Sequence, residues 1–241
     1  MNITLAVISK TKELKQLVLD SYKFADEIIV VVDSPTKAPI QNRGVKYYFR
    51  PLGADFSAQR NYALDKAQNN WVFFVDDDEY VSSELAREIK NIKNCHQYSG
   101  YLIRRIDVCC YQPLLHGETG TTRILRLANK TKGKYVRPVH ERWEIVGEMG
   151  KLASPLYHIK DNFISEFIGR MTKYCDIDSH ILTKENKPFT FWRLFLYPKG
   201  KFIQNYFCKR GFLDGTVGLF QSYLMSIQSL TVRVYQWVKR S

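Results

Sequence analysis

Four carboxylates stand in a row at Asp76-Asp77-Asp78-Glu79, in a chain whose formal net charge is +12. Adjacent like charges repel one another, more so beside an apolar segment, and a divalent cation removes that cost. Oxygen ligands of this hardness suit magnesium or manganese. The Asp-x-Asp spacing of Asp76 and Asp78 lets two carboxylates converge on one ion from a tight turn. Such an ion can bridge a diphosphate and stabilise it as a leaving group. The competing reading is a solvated turn whose acids favour the N-terminus of a following helix.

Other residues could do chemistry around that turn. Asp33-Ser34 follows an apolar run, as the acidic turn does. Arg123 and Arg126 sit on one strand segment, where both could meet phosphates of an acceptor; surface salt bridges account for them equally well. The five cysteines (Cys95, Cys109, Cys110, Cys175, Cys208) are odd in number and irregularly spaced, with no Cys-x-x-Cys pair. That argues for reduced thiols and against zinc. Residues 193–241 hold eight basic residues against Asp214 alone, interleaved with large apolar side chains. The mixture fits an anionic membrane surface better than a nucleic-acid duplex, so no nucleic-acid partner is expected.

The elements that must position these groups alternate between two periods. Ile3–Ser9, Ile28–Val32, Val45–Phe49 and Trp71–Val75 read as strands, and residues 12–25, with Thr11 as their cap, and 55–68 as helices, with Ser82 capping a further helix. Strands apolar on both faces and separated by helices imply a parallel sheet covered on both sides, with ligands at the carboxyl ends of its strands. Gly100–Ile106, Thr121–Leu127 and Arg142–Val146 lack intervening helices and are expected as antiparallel additions. Asn162 is expected to cap a long helix presenting Phe163, Phe167, Met171, Tyr174, Ile177 and Ile181 on one face. A break is expected at Pro198-Lys199-Gly200-Lys201. Beyond it, Val217, Phe220, Leu224, Ile227, Val234 and Val238 form a stripe of helical spacing, expected to divide between packing and membrane contact. The sequence shows no run of about 18 apolar residues and no signal-peptide pattern.

The run Phe56-Ser57-Ala58-Gln59-Arg60-Asn61-Tyr62-Ala63-Leu64, then Trp71–Val75, then Asp76-Asp77-Asp78-Glu79 resembles the donor-site signature of family 2 glycosyltransferases. It is most similar to small bacterial enzymes that add glucose or a related sugar to the inner core of lipopolysaccharide or lipooligosaccharide. Arg137-Pro138-Val139-His140-Glu141, Leu156-Tyr157-His158 and Lys209-Arg210-Gly211-Phe212-Leu213-Asp214-Gly215 continue the likeness in order. The chain departs from the family at Ser34-Pro35-Thr36-Lys37, where Gly-Ser-Thr-Asp is usual, and at Ser9-Lys10-Thr11-Lys12, where Asn-Glu is commoner.

The resemblance implies a GT-A fold, an α/β mixed sheet over residues 1–160 with a helical region over 161–241. It implies an inverting, metal-dependent hexosyltransferase. The donor would be a nucleotide sugar, with UDP the expected carrier, and magnesium or manganese the cofactor. Asp33, Arg60, Asp76, Asp77, Asp78 and Arg126 form the expected donor set, with Asp76, Asp78 and His158 as metal ligands. Glu141 is the expected base, with Asp107 as its alternative and His140 an orienting neighbour. The expected acceptor is a lipopolysaccharide-core or other lipid-linked glycan, met by a peripheral protein at the cytoplasmic face of the inner membrane. Two other classes share parts of the pattern: a sugar nucleotidyltransferase, which should carry a Gly-rich basic loop near its N-terminus, and a non-catalytic basic binding module.

Overall fold

The structure is a computed structural model. It describes residues 1–239 apart from 11–13, 15, 36–43, 54, 93–96, 138–140 and 188, with the side chains of 16–18 and 173 also left aside. In chain order its elements are β1 (Ile3–Ser9), α1 (Gln16–Ser21), β2 (Glu27–Val32), β3 (Val45–Phe49), α2 (Phe56–Lys66), β4 (Trp71–Asp76), β5 (Glu79–Val81), α3 (Ser83–Lys90), β6 (Gly100–Cys109), β7 (Gln112–Pro113), β8 (Arg123–Asn129), β9 (Gly133–Val136), β10 (Arg142–Ile145), β11 (Met149–Lys151), β12 (Leu156–Lys160), α4 (Phe163–Lys184), α5 (Arg193–Ile203) and α6 (Gly215–Val238). They compact into two units: Met1–Arg105 with Arg123–His158, and Ile106–Thr122 with Ile159–Ser241.

The first unit is built on a sheet of order β3-β2-β1-β4-β8-β6-β12-β5. The strands β3, β2, β1 and β4 are mutually parallel, and β8 then runs antiparallel to β4 and to β6. Successive side chains of a strand point to opposite faces, and this divides the apolar run of β4. Trp71, Phe73 and Val75 join Leu5, Tyr22, Leu85 and Ile89 on one side. Val72 and Phe74 join Ala63, Leu64, Tyr135 and Trp143 on the other. Both faces are covered, as the unbroken apolar runs of β2 and β4 require. Of the three middle strands expected as antiparallel additions, β8 joins β4 and β6 joins β8 in that sense, whereas β10 pairs with β9 in a separate two-stranded sheet.

The caps behave as their residue types dictate. Asp55 accepts the Ala58 N–H at the start of α2, and Ser82 accepts the Leu85 N–H at the start of α3. Asn162 precedes α4, but its side chain makes no capping bond. Thr11, expected to cap the first helix, lies outside the described residues.

The second unit departs from the sequence expectation in two respects. Residues 106–122 belong with the helices rather than with the sheet's unit. The buried Asp214 carboxylate accepts the Leu115 and His116 N–H groups at 3.2 and 2.8 Å and the His116 ring Nδ1–H at 2.7 Å. These bonds tie the loop to the residues just before α6. Second, α5 runs through Pro198 without a break. Proline removes one helical N–H donor, yet α5 packs lengthwise on α6, and Ser226 of α6 donates to the Pro198 carbonyl at 2.8 Å.

The apolar stripe of α6 is divided between packing and exposure. Val217 and Leu224 pack against Cys109, Leu114 and Phe163, but Phe220, Ile227, Val234 and Val238 are exposed, while Gln221, Ser222, Arg233 and Gln236 are buried. Burying polar groups requires partners. Ser222 donates to the Gly218 carbonyl, Arg233 to Gln236, and Gln236 to the Lys187 carbonyl. The guanidinium of Arg233 lies 4.4 Å from the Tyr197 ring centroid. The helix α4 is similar: Phe163, Cys175 and Ser179 are buried, whereas Tyr174, Ile177 and Ile181 are exposed.

Candidate active site

The parallel strand β4 delivers the acidic run at its carboxyl end, and each of the four acids goes to a different place. Asp76 is held by two arginines: Arg126 Nη2 lies 2.5 Å from Oδ2, and Arg60 Nη2 lies 3.0 Å from Oδ1. Burial alone would raise its pKa, but Arg126 and then Arg60 outweigh that and hold Asp76 well below the usual carboxylate range. Asp77 turns back to the end of β1, accepting from the Ser9 hydroxyl at 2.7 Å and the Lys10 N–H at 3.2 Å. Asp78 meets His158 of β12, with Nε2 3.1 Å from Oδ2. Glu79 is fully buried. It accepts the Asp76 N–H and pairs with Arg126 at 2.9 Å and Arg105 at 2.7 Å.

The like-charge strain of the run is therefore relieved first by Arg60, Arg105 and Arg126. Tyr22 reinforces the turn by donating its hydroxyl to the Asp76 and Glu79 carbonyls. Burial, with Glu79 next, pushes the pKa of that phenol well above its ordinary value.

The Gln59-Arg60-Asn61 triplet owes its character to three directions of bracing. Gln59 exchanges hydrogen bonds with Arg50, accepting from the guanidinium at 2.7 Å and donating to the carbonyl at 3.0 Å. Asn61 pairs with the backbone of Tyr135 in both senses at 2.9 Å, mimicking a strand partner for β9. Between them, Arg60 is directed into the site. Its guanidinium lies 5.4 Å from the ring centroids of both Phe74 and Tyr135 and bridges Asp76 to Glu141, with Nε 3.0 Å from Oε1. Its Nη1 is buried without a hydrogen-bond partner among the described residues.

These groups line one open cleft of about 770 Å³, which includes Arg60, Asp76, Arg105, Arg126, Tyr135 and Glu141. The volume is that of a small-molecule site. Tyr135 and Trp143 stack at 5.0 Å beneath it, and Phe74 meets both edge-on. Burial pushes the Tyr135 phenol up to about 12.

The structure brings Arg60, Asp76, Arg126 and Glu141 into this one cluster. Asp78 and His158 form a separate pair. Arg126, whose strand position suggested an acceptor phosphate, spends its charge on Asp76 and Glu79, and Arg123 donates to the Leu152 carbonyl. Asp33 accepts the Leu52 N–H at 2.8 Å, fixing the loop after β3. Asp107 belongs to the second unit, where Lys160 binds it at 2.6 Å. His140 lies outside the described residues. Glu79 and Arg105 are the participants that sequence reasoning left without a role. Their only signals were the last acid of the run and the doubled Arg104-Arg105 of β6.

For a divalent ion the candidate ligands are Asp78 and His158. Asp78 Oδ1 is buried with no hydrogen-bond partner among the described residues, and a histidine nitrogen lies against the same residue's other oxygen. An ion taken by Asp78 and His158 would satisfy that acceptor, leaving its remaining positions to substrate oxygens and water, as magnesium prefers. Among the described residues no three potential ligands converge. Asp76, the other expected ligand, has both oxygens engaged by arginine.

The family model of glycosyl transferase family 2 matches residues 11–144. An uncharacterized glycosyltransferase of Rickettsia typhi is 24% identical, over 93% of this chain and 82% of that protein. The lipopolysaccharide core biosynthesis glycosyltransferase LpsC of Rhizobium meliloti is also 24% identical, over 86% of this chain and 82% of LpsC. Among solved structures, S. aureus TarS 1-349 in complex with UDP is 13% identical, covers 97% of this chain and 90% of its own, and gives a TM-score of 0.48. Four parallel strands extended by the antiparallel β8 and then by β6, which pairs antiparallel with β8, with the acidic turn at the end of β4, form the GT-A arrangement expected from the sequence. With more than half its length inside the family model, the chain belongs to glycosyl transferase family 2.

Proposed function

We propose that this glycosyltransferase moves a hexose, glucose or a close relative, from a UDP-sugar to a lipopolysaccharide inner-core or other lipid-linked glycan, with inversion at the anomeric carbon. The observation that carries the donor half is the orphaned Asp78 oxygen beside His158, at the carboxyl end of β4. That is where an open parallel sheet places its ligand. Similarity to LpsC supports the acceptor class. A lipid-linked acceptor in turn places the protein at the cytoplasmic face of an anionic membrane.

In this reading Asp78 and His158 hold magnesium or manganese, which when bound supplies positive charge to the departing diphosphate. The protein's own groups do the rest. The buried, unpartnered Nη1 of Arg60 offers a donor to a phosphate or ribose oxygen. Asp76 is kept ionised by Arg126 and Arg60 and so fixes the Arg60 fork. Glu141, oriented by Arg60 at 3.0 Å, takes the proton from the acceptor hydroxyl as that oxygen attacks. Asp77 and Asp33 hold the β1 and β3 ends around the donor pocket.

Calorimetric titration of UDP, with and without manganese, tests the donor half. Wild-type protein is expected to bind UDP far more tightly with the metal, and Asp78→Ala to abolish that dependence. Equal binding with and without metal, or an unchanged metal dependence in Asp78→Ala, would overturn the assignment.

A further inference from the structure

The helical unit exposes its apolar residues along ordered lines. On α5 and the residue before it, Trp192, Phe195, Leu196, Lys199 and Ile203 are all exposed, at spacings i, i+3, i+4, i+7 and i+11. That is one helix face, and Lys199 is its only polar side chain. The opposite side packs on α6 through Tyr197 and Pro198, and one flank of the exposed face reaches α6 as well: the Phe202 ring lies 4.7 Å from that of Tyr223. The turn after α5 continues the surface, since Phe202 contacts Tyr206 and Phe207, and Tyr206 contacts Phe212. Phe207, Phe212 and Leu213 are themselves 45–56% exposed. Through Tyr223 the surface reaches α6, whose exposed Phe220, Tyr223, Ile227 and Leu230 prolong it.

An apolar surface this continuous marks an interaction site, and the charges around it select the partner. Between Glu185 and Asp214 the chain contains no acidic residue; Lys199 and Arg210 are exposed there, while Lys201 and Lys209 lie 2.5 and 4.0 Å from Glu118. Exposed lysine and arginine among tryptophan, phenylalanine and leucine is the composition of a surface that sinks into the headgroup boundary of an anionic bilayer. Among the described residues no helix is long and apolar enough to cross a membrane, so the element would lie in the interface rather than span it.

We infer that the outward face of α5, with the aromatic turn that follows it, is an in-plane docking surface for anionic phospholipid bilayers. This extends the proposed lipid-linked acceptor but uses no residue of the donor cleft. It adds α5 and the turn at 204–213 to the α6 stripe, where the sequence suggested membrane contact. Phe195 and Leu196 enter the apolar boundary while Lys199 and Arg210 meet lipid phosphates.

Vesicle flotation tests this with the full chain. Wild type is expected to float with phosphatidylglycerol–phosphatidylethanolamine vesicles and to stay in solution with phosphatidylcholine vesicles. Phe195→Ser/Leu196→Ser should lower partitioning about tenfold or more, given the apolar area removed. Lys199→Gln should lower it about fivefold, the effect of one basic residue near an anionic surface. Circular dichroism and sedimentation velocity on each variant check fold and self-association. Absence of wild-type flotation, or flotation that neither variant changes, overturns the inference. A dimer that Phe195→Ser/Leu196→Ser dissociates, without vesicle binding by the wild type, also overturns it and assigns the face to a second copy. Metal-dependent UDP binding, measured on the same samples, separates the two readings: the donor site can stand when the docking face falls.

Discussion

At the scale of single residues, the site is an arrangement of arginines as much as of carboxylates. Arg126 joins Asp76 to Glu79, and Arg60 joins Asp76 to Glu141. Buried ion pairs of this kind contribute little net stability, but removing one partner leaves a charge stranded. Glu141→Gln is therefore informative, because the amide keeps its shape and can still accept from Arg60 while losing its basicity. Transfer by this variant is expected to fall about 10²- to 10⁴-fold, the range for a positioned general base. Metal-dependent UDP binding should hardly change. Transfer at the wild-type rate would remove Glu141 from the role of base and leave it as a brace for Arg60. The acidic run and Arg60 were legible in the sequence because their types are unusual where they stand. The partnership of Glu79 with Arg105 and Arg126 was not, since the three are brought together only by the pairing of strands far apart in the chain.

At the scale of elements, the hairpin β9–β10 decides whether the aromatic floor forms. Its strands pair Tyr135 with Trp143 and Gly133 with Ile145, and Glu141 immediately precedes β10. A Cβ on Gly133 would lie 1.8 Å from the Glu144 carbonyl oxygen, so the two backbones approach more closely than any side chain allows. Gly133→Ala is expected to splay the hairpin and cost about 1–3 kcal/mol, the usual range for overpacking. Urea denaturation measures this; an unchanged midpoint would show that the hairpin relaxes freely there. Strands such as β1, β2 and β4 could be read from sequence because residues apolar on both faces have one stable environment, the middle of a covered sheet. Helices α4 and α6 could be recognised but not oriented. Periodicity reveals that a helix has an apolar stripe, and the inward direction is inferred only by assuming water on the other side. Here Gln221, Ser222, Arg233 and Gln236 of α6 turn inward, and Ser222, Arg233 and Gln236 are held by hydrogen bonds that a helical wheel does not display.

At the scale of the whole molecule, the charge is unevenly spent. Acids and arginines balance one another closely in the donor cleft, whereas residues 193–241 carry most of the +12 surplus. These two populations should answer salt differently. Raising ionic strength from about 0.1 M to 1 M shortens the screening length from ~10 Å to ~3 Å, which weakens exposed charges far more than buried pairs. Attraction of a basic, aromatic surface to anionic lipid should weaken steeply over that range, while the Arg60, Asp76 and Arg126 cluster stays intact. The expectation is that transfer to a glycan acceptor embedded in anionic vesicles falls about tenfold or more, the effect of two or more basic residues losing their lipid partners. Transfer to a water-soluble fragment of the same acceptor should change about twofold at most, because buried pairs are screened little. Parallel loss on both acceptors would locate the salt-sensitive step in the donor cleft. Equal persistence on both would mean that the basic surplus does not bring the enzyme to its acceptor, and that apolar contact alone holds it there.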